Sequence, residues 1–115
     1  MPIINHSDTP YEAADGRKAR RFVNKDTGAA NLTVGELLME LGSALRLHTH
    51  PTDEAIVLLE GNIKMEVAGE SRNVTPGHTL LAPPTTPHRL INNSDAEPRM
   101  YPIFPADNPT TTYVD

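Results

Sequence analysis

Apolar and polar residues along this chain alternate in short runs with a period of two, and no stretch of useful length repeats at helical spacing. Leu37, Met39 and Leu41 alternate with Leu38, Glu40 and Gly42, which predicts a half-buried strand beginning near Leu32 and broken at Gly42-Ser43. A shorter strand is expected over residues 19–24, followed by the turn-forming run Asn24-Lys25-Asp26-Thr27-Gly28. Residues 45–50 read as extended up to Pro51, and residues 55–59 are apolar on both faces, as in a central or interface strand. Glu60-Gly61-Asn62 is a hairpin signal leading into residues 63–67, where apolar and charged positions alternate cleanly. Further strands are expected over 72–75, 79–82, 88–92 and 99–104, with turns at Ala68-Gly69-Glu70 and Pro76-Gly77. Residues 1–16 read as an irregular lead-in, 17–104 as the packed core and 105–115 as a loosely held tail. About eight or nine short strands spaced roughly 8–12 residues apart predict an all-β chain closed into an antiparallel sandwich or barrel.

Composition narrows this further. At 115 residues the chain is read as one domain, large enough to bury a core. Eleven prolines argue against a helical bundle, since each interior proline would break a helix. The absence of cysteine excludes disulfides, thiolate metal sites and cysteine nucleophiles. A net charge of −5 argues against nucleic acid as the main partner. The longest apolar run, residues 55–59, is far short of a membrane span, and Met1-Pro2-Ile3-Ile4-Asn5-His6 lacks the pattern of a signal peptide, so a cytoplasmic location without membrane attachment is expected. One basic run interrupts the acidic balance: Arg17, Lys18, Arg20, Arg21 and Lys25. It is expected to blunt a solvated strand edge, the alternative being a phosphate-binding patch.

Chemistry concentrates elsewhere. His48 and His50 lie two apart on a predicted strand, so both imidazoles emerge on one face, roughly 6–7 Å apart at the backbone. Two neutral histidines so placed can grip one metal ion. Pro51 ends the strand and lets the chain bend so that Glu54 can add a carboxylate. A fourth ligand must come from elsewhere, and His88, after the stiff loop Pro83-Pro84-Thr85-Thr86-Pro87, is the best candidate. Arg46 shares strand parity with His48 and His50 and is a candidate for holding an anionic substrate group. Asn92 shares parity with His88 and Tyr101 is a candidate proton donor; both are carried as possible substrate contacts. His6 and His78 are expected at the surface, Met39 and Met65 in the core.

The run Gly42-x5-His48-x-His50-x3-Glu54-x6-Gly61 resembles the first motif of the cupin superfamily at every fixed position. Gly77-x5-Pro83-x-Thr85-x2-His88-x3-Asn92 resembles the second, with Thr85 standing where cupins usually carry glycine. Because a β-branched residue is strained at positive φ, Thr85 is expected in ordinary extended geometry. The resemblance implies a jelly-roll barrel of the double-stranded β-helix type and a homodimer. It also implies that His48, His50, Glu54 and His88 bind one metal ion inside the barrel. Three nitrogens and one carboxylate oxygen suit a divalent first-row transition metal ion, with manganese, iron or nickel favoured and zinc, cobalt or copper admissible. Leu38, Val57 and Leu59, apolar on the second strand face, are the surface expected to pair in a dimer.

Three functions are compatible with this reading. The first is a small metalloenzyme of dioxygenase, isomerase or lyase type acting on an oxygen-rich small molecule, with Glu54 as the candidate catalytic base. The second is a non-catalytic sugar- or small-molecule-sensing module. In the third the metal only pins the barrel, which requires a closed coordination shell.

Overall fold

A computed structural model describes residues 2–114. The strands are β1 (Glu12–Ala14), β2 (Arg17–Val23), β3 (Thr33–Met39), β4 (His48–Thr49), β5 (Glu54–Glu60), β6 (Ile63–Val67), β7 (Glu70–Val74), β8 (Thr79–Ala82), β9 (His88–Ile91), β10 (Arg99–Phe104) and β11 (Thr112–Tyr113). They form two antiparallel sheets, ordered β1-β2-β3-β10-β5-β8 and β11-β4-β9-β6-β7. The only helical pieces among the described residues are 3-10 turns at His6–Asp8 and Lys25–Thr27. This is the all-β, antiparallel architecture expected from the alternating pattern, in the jelly-roll form that the cupin resemblance implies.

Period two decides which side chains fill the space between the sheets. Along β5, Glu54, Ile56 and Leu58 are buried while Ala55, Val57 and Leu59 are half-exposed on the outer face. Ile56 and Leu58 meet Met39, Ile63, Met65, Leu90 and Met100 in one core cluster. At roughly 1.5–3 kcal/mol for each fully buried large apolar side chain, this cluster supplies the main drive to fold. Met39 and Met65 are core residues, as their parity requires.

Several expectations need correction. The lead-in is not irregular throughout: β1 pairs with β2, and the Arg20 guanidinium donates to the carbonyls of His6 (3.0 Å) and Thr9 (3.1 Å). His6 is exposed yet stacks on Phe22, and His78 is half-buried in a turn. β1 covers β2 only at Arg17–Ala19, so the basic run begins on a paired stretch and continues onto one with no strand beyond it among the described residues. Beneath the lead-in, on the outer face, the buried Glu36 carboxylate accepts from Tyr11 and pairs with Arg20 (3.1 Å) and Arg99 (3.3 Å). Burial opposes its charge, but these donors together hold its carboxyl below the ordinary value.

The tail is not loose either. β11 pairs with β4, opposing Thr112 to Thr49 and Tyr113 to His48. Pro102 is at neither a sheet edge nor a bulge; β10 lies between β3 and β5, and the β3 ladder is interrupted where Tyr101 and Pro102 pass Gly35 and Glu36. A proline can sit there because the rung it cannot form is already missing. The strand expected over residues 45–50 pairs regularly only at His48–Thr49, preceded by an isolated bridge from Ala44 to Ile91.

Thr85 departs most clearly from expectation, with φ of 59°. Its N–H donates to the His50 carbonyl (2.8 Å), and the Thr86 N–H donates to the Pro83 carbonyl (3.2 Å). Pro84 then occupies the second position of a tight turn and Thr85 the third, where type II geometry demands positive φ. The turn overrides the preference of a β-branched residue.

Candidate metal centre

His48 lies on β4, His88 opens β9, and the two are directly opposed in register. His50 follows β4 by one residue, and Glu54 opens β5 across the Pro51 bend. Strand pairing therefore brings one pair together, and a short turn brings the rest. One ligand atom from each of the four residues lies within 4.8 Å of all the others, and all four residues are buried. Ligand atoms around an ion with bonds of about 2.0–2.2 Å stand roughly 3–4.4 Å apart, so shifts of a few tenths of an ångström at both ends of the cluster's range would fit it to an ion.

The imidazoles are oriented by backbone carbonyls. His48 Nδ1 donates to the Arg46 carbonyl (2.7 Å), His50 Nδ1 to the Thr110 carbonyl (2.7 Å) and His88 Nδ1 to the Thr86 carbonyl (2.9 Å). A carbonyl only accepts, so each Nδ1 carries the proton and each Nε2 presents its lone pair inward. His88 Nε2 faces Glu54 Oε1 at 2.7 Å and His50 Nε2 faces it at 3.2 Å. A lone pair and a carboxylate oxygen at such distances require a cation, either a proton or a metal ion. The donor set, its burial and its tautomers fit a divalent first-row ion.

Titration in the metal-free chain follows from the same contacts. Burial pushes against charge on Glu54, but hydrogen bonds from His50 and His88 outweigh it and hold the carboxyl below its usual range. Burial likewise disfavours the His50 cation, yet Glu54 and the Thr110 carbonyl more than compensate and raise it. His48 goes down, chiefly through burial, with its histidine neighbours adding to the effect.

The cluster opens into a cavity of about 380 Å³, within the range of small-molecule sites. Arg46 lines it, with its guanidinium 4.1 Å from the Tyr113 ring centre. Asn92 and Tyr101 are outside the lining. Asn92 is fully buried, its Nδ2 donating to the Met39, Glu40 and Ala96 carbonyls and its Oδ1 accepting from Ser94. Those bonds tie the end of β3 to the turn that follows β9. Tyr101 is on the outer face of β10, edge-on to Phe22, with its hydroxyl accepting from Arg99. Three contributors to the site were not singled out from the sequence: the Thr110 carbonyl, which orients His50, and Tyr113 and the pair Arg17 and Arg21, which line the cavity. The arginines left a legible signal, since Arg17, Ala19 and Arg21 share one strand parity.

Comparison with known proteins gives a consistent picture. A family model described as a cupin domain matches residues 35–104. The uncharacterized protein MJ1618 of Methanocaldococcus jannaschii is 33% identical over 85 residues, covering 72% of this chain and 68% of that one. Polyketide synthase CurC of Streptomyces cyaneus is 30% identical over 91 residues, 76% of this chain and 59% of that protein's length. Among solved structures, polyketide cyclase RemF from Streptomyces resistomycificus superposes with a TM-score of 0.88 at 20% identity, covering 100% of this chain and 86% of that one.

Proposed function

This chain belongs to the cupin domain family, matched over residues 35–104, and from that premise we propose that it is a small metal-dependent enzyme acting on a carbonyl-rich small molecule. The observation that carries this reading is the set of three backbone-anchored imidazoles whose Nε2 atoms converge with Glu54 at a cavity of about 380 Å³. His48, His50, Glu54 and His88 would hold the ion. A divalent ion bound there supplies Lewis-acid polarisation of carbonyl oxygens, which favours enolate chemistry of the isomerase, lyase or cyclase kind. The polyketide names of two similar proteins support a substrate with closely spaced carbonyl oxygens.

The chain's own residues then divide the work. Backbone carbonyls keep the imidazoles in one tautomer, so no reorientation is needed when substrate arrives. Phe104 lines the cavity edge-on to His50 at 4.8 Å and limits the tilt of that ring. Glu54 is the carboxylate within the cluster, and it would take the proton from the substrate carbon at an oxygen not engaged with the ion. Leu38, Val57 and Leu59 on the outer face are the proposed homodimer contact.

Elemental analysis after anaerobic purification tests the premise, with about one equivalent of a divalent first-row ion expected. Solvent deuterium exchange at the central carbon of pentane-2,4-dione tests the chemistry. The loaded protein is expected to accelerate exchange, His48→Ala to lose metal and exchange together, and Glu54→Gln to slow exchange by about 10²–10⁴-fold. A protein that retains no metal, with His48→Ala unchanged in stability, overturns the metal reading. Full exchange in Glu54→Gln overturns its role as base. Oxygen uptake with the same probe would instead favour a dioxygenase, and tight binding without turnover a sensing module.

A further inference from the structure

The sheet facing His48 and His88 contributes charge where a barrel interior is ordinarily apolar. In the β2–β3 ladder Arg17 opposes Met39, Ala19 opposes Leu37 and Arg21 opposes Gly35. Cross-strand partners share a face, and Met39 and Leu37 are buried core residues, so Arg17 and Arg21 are on the inward side. Both line the cavity. The alternate residue Arg20 faces outward and is committed to Glu36 at 3.1 Å. All three arginines touch the cavity, but strand parity and pairing split them: Arg20 is tied to Glu36, whereas Arg17 and Arg21 share the parity of the core-facing positions.

Arg17 is half-buried and Arg21 exposed, which places them at the rim of the cavity, and two further observations bear on their role. Among the described residues, neither Arg17 nor Arg21 makes an ion pair or a side-chain hydrogen bond. Gly35 leaves a gap for Arg21, whose Cγ is 3.7 Å from where a Cβ at that position would stand. A side chain at Gly35 would also meet the Arg20 carbonyl oxygen at 2.7 Å, so the strands approach closely only because the residue is glycine. Asp15 is the one carboxylate beside them in the lining apart from Glu54 and the outward-committed Glu36. Arg46 stands in the same lining, against Tyr113.

We infer that Arg17 and Arg21 form an oxyanion-recognition element, so that the substrate carries a terminal carboxylate or phosphate-type group in addition to the oxygens presented to the His48–His50–Glu54–His88 cluster. This rests on the proposed reading of the cavity as the substrate site. A guanidinium offers a fork of N–H donors that matches either oxyanion, and two forks at one rim can hold both sides of such a group. One end of the substrate would meet the metal cluster, and the other would be fixed by β2.

The test compares three 2-oxo acids with the same chelating end: 2-oxoglutarate, 3-phosphonopyruvate, and 2-oxopentanoate, which lacks the second anionic group. Affinities are measured by calorimetry on nickel-loaded protein, with metal content determined on the same samples. A dianionic probe is expected to bind about tenfold or more tightly than 2-oxopentanoate. The advantage should disappear in the R17Q/R21Q double variant and persist in part in R17K/R21K, which retains charge without the fork. The larger gain of the two identifies the group as carboxylate or phosphate type. Equal affinities for all three probes, absence of binding by any of them, or an advantage surviving in R17Q/R21Q overturns the inference while leaving metal retention intact. Should the wild type hold no nickel, the metal reading fails separately. The arginines are then judged by whether 2-oxoglutarate raises the melting temperature of the metal-free protein more than 2-oxopentanoate does, and whether R17Q/R21Q abolishes the difference.

Discussion

Thr85 stands at φ 59° because two hydrogen bonds fix the turn that delivers His88. Left-handed geometry costs a β-branched residue about 1–2 kcal/mol, partly offset here by the bond from its hydroxyl to the Pro84 carbonyl (2.6 Å). Thr85→Gly should therefore stabilise the protein by about 1 kcal/mol, and a chemical denaturation midpoint that moves down instead would show the turn to be unstrained. Asn92 gives the opposite case. Asn92→Ala leaves buried carbonyls without a donor and should cost roughly 2–4 kcal/mol while metal content stays unchanged. Loss of metal at full stability would return Asn92 to the site. The sequence could place Asn92 on the parity of His88, but parity alone does not distinguish a side chain aimed at the cavity from one that staples a strand end. At Thr85, the preference of one residue was legible, whereas the demand of the turn was set by His50, far away in sequence.

At the scale of the element, β11 matters more than its two residues suggest. It holds Thr110 where its carbonyl accepts from His50 Nδ1, and it brings Tyr113 over the cavity. Removing residues 110–115 should weaken metal affinity by about 10–100-fold, the usual effect of losing the group that orients a ligand. The barrel itself should remain folded, because the core cluster contains no residue from that segment. Titration of the truncated protein with nickel measures this, and undiminished affinity would show that Thr110 does not orient His50. β6 was legible from the sequence because burial on one face imposes period two, and β5 from its apolar run bounded by turn residues. β11 and β1 were not, since their residues are all exposed and pairing comes from neighbours distant in the chain. The four-residue cluster was legible from its spacing, whereas the basic run alone does not say which of its arginines pair with a carboxylate, since Glu36 lies on another strand.

For the whole molecule, ligand protonation links metal binding to pH. In the metal-free chain Glu54 is held below its ordinary 4.5 and His50 above its ordinary 6.5. The stability contributed by Glu54 is present above its unfolded value and lost as pH falls through its folded one. That contributed by His50 is present below 6.5 and lost as pH rises through its folded value. His48, shifted down, instead removes stability as pH drops below 6.5. Protons also compete with metal for the imidazoles, so the loaded form gains as pH rises. The melting-temperature difference between loaded and chelator-treated protein should widen from about pH 6 to about pH 8, and scanning calorimetry showing a constant or narrowing difference would contradict the proposed ligands. The bond between His50 and Thr110 has one more consequence, in time rather than in space. Sixty positions separate the two residues, and at about 5–20 residues per second a ribosome takes roughly 3–12 s to make that stretch. During that interval the nascent chain carries His50 without the carbonyl that orients it, so the full affinity of the site develops only after Thr110 has emerged and β11 has docked.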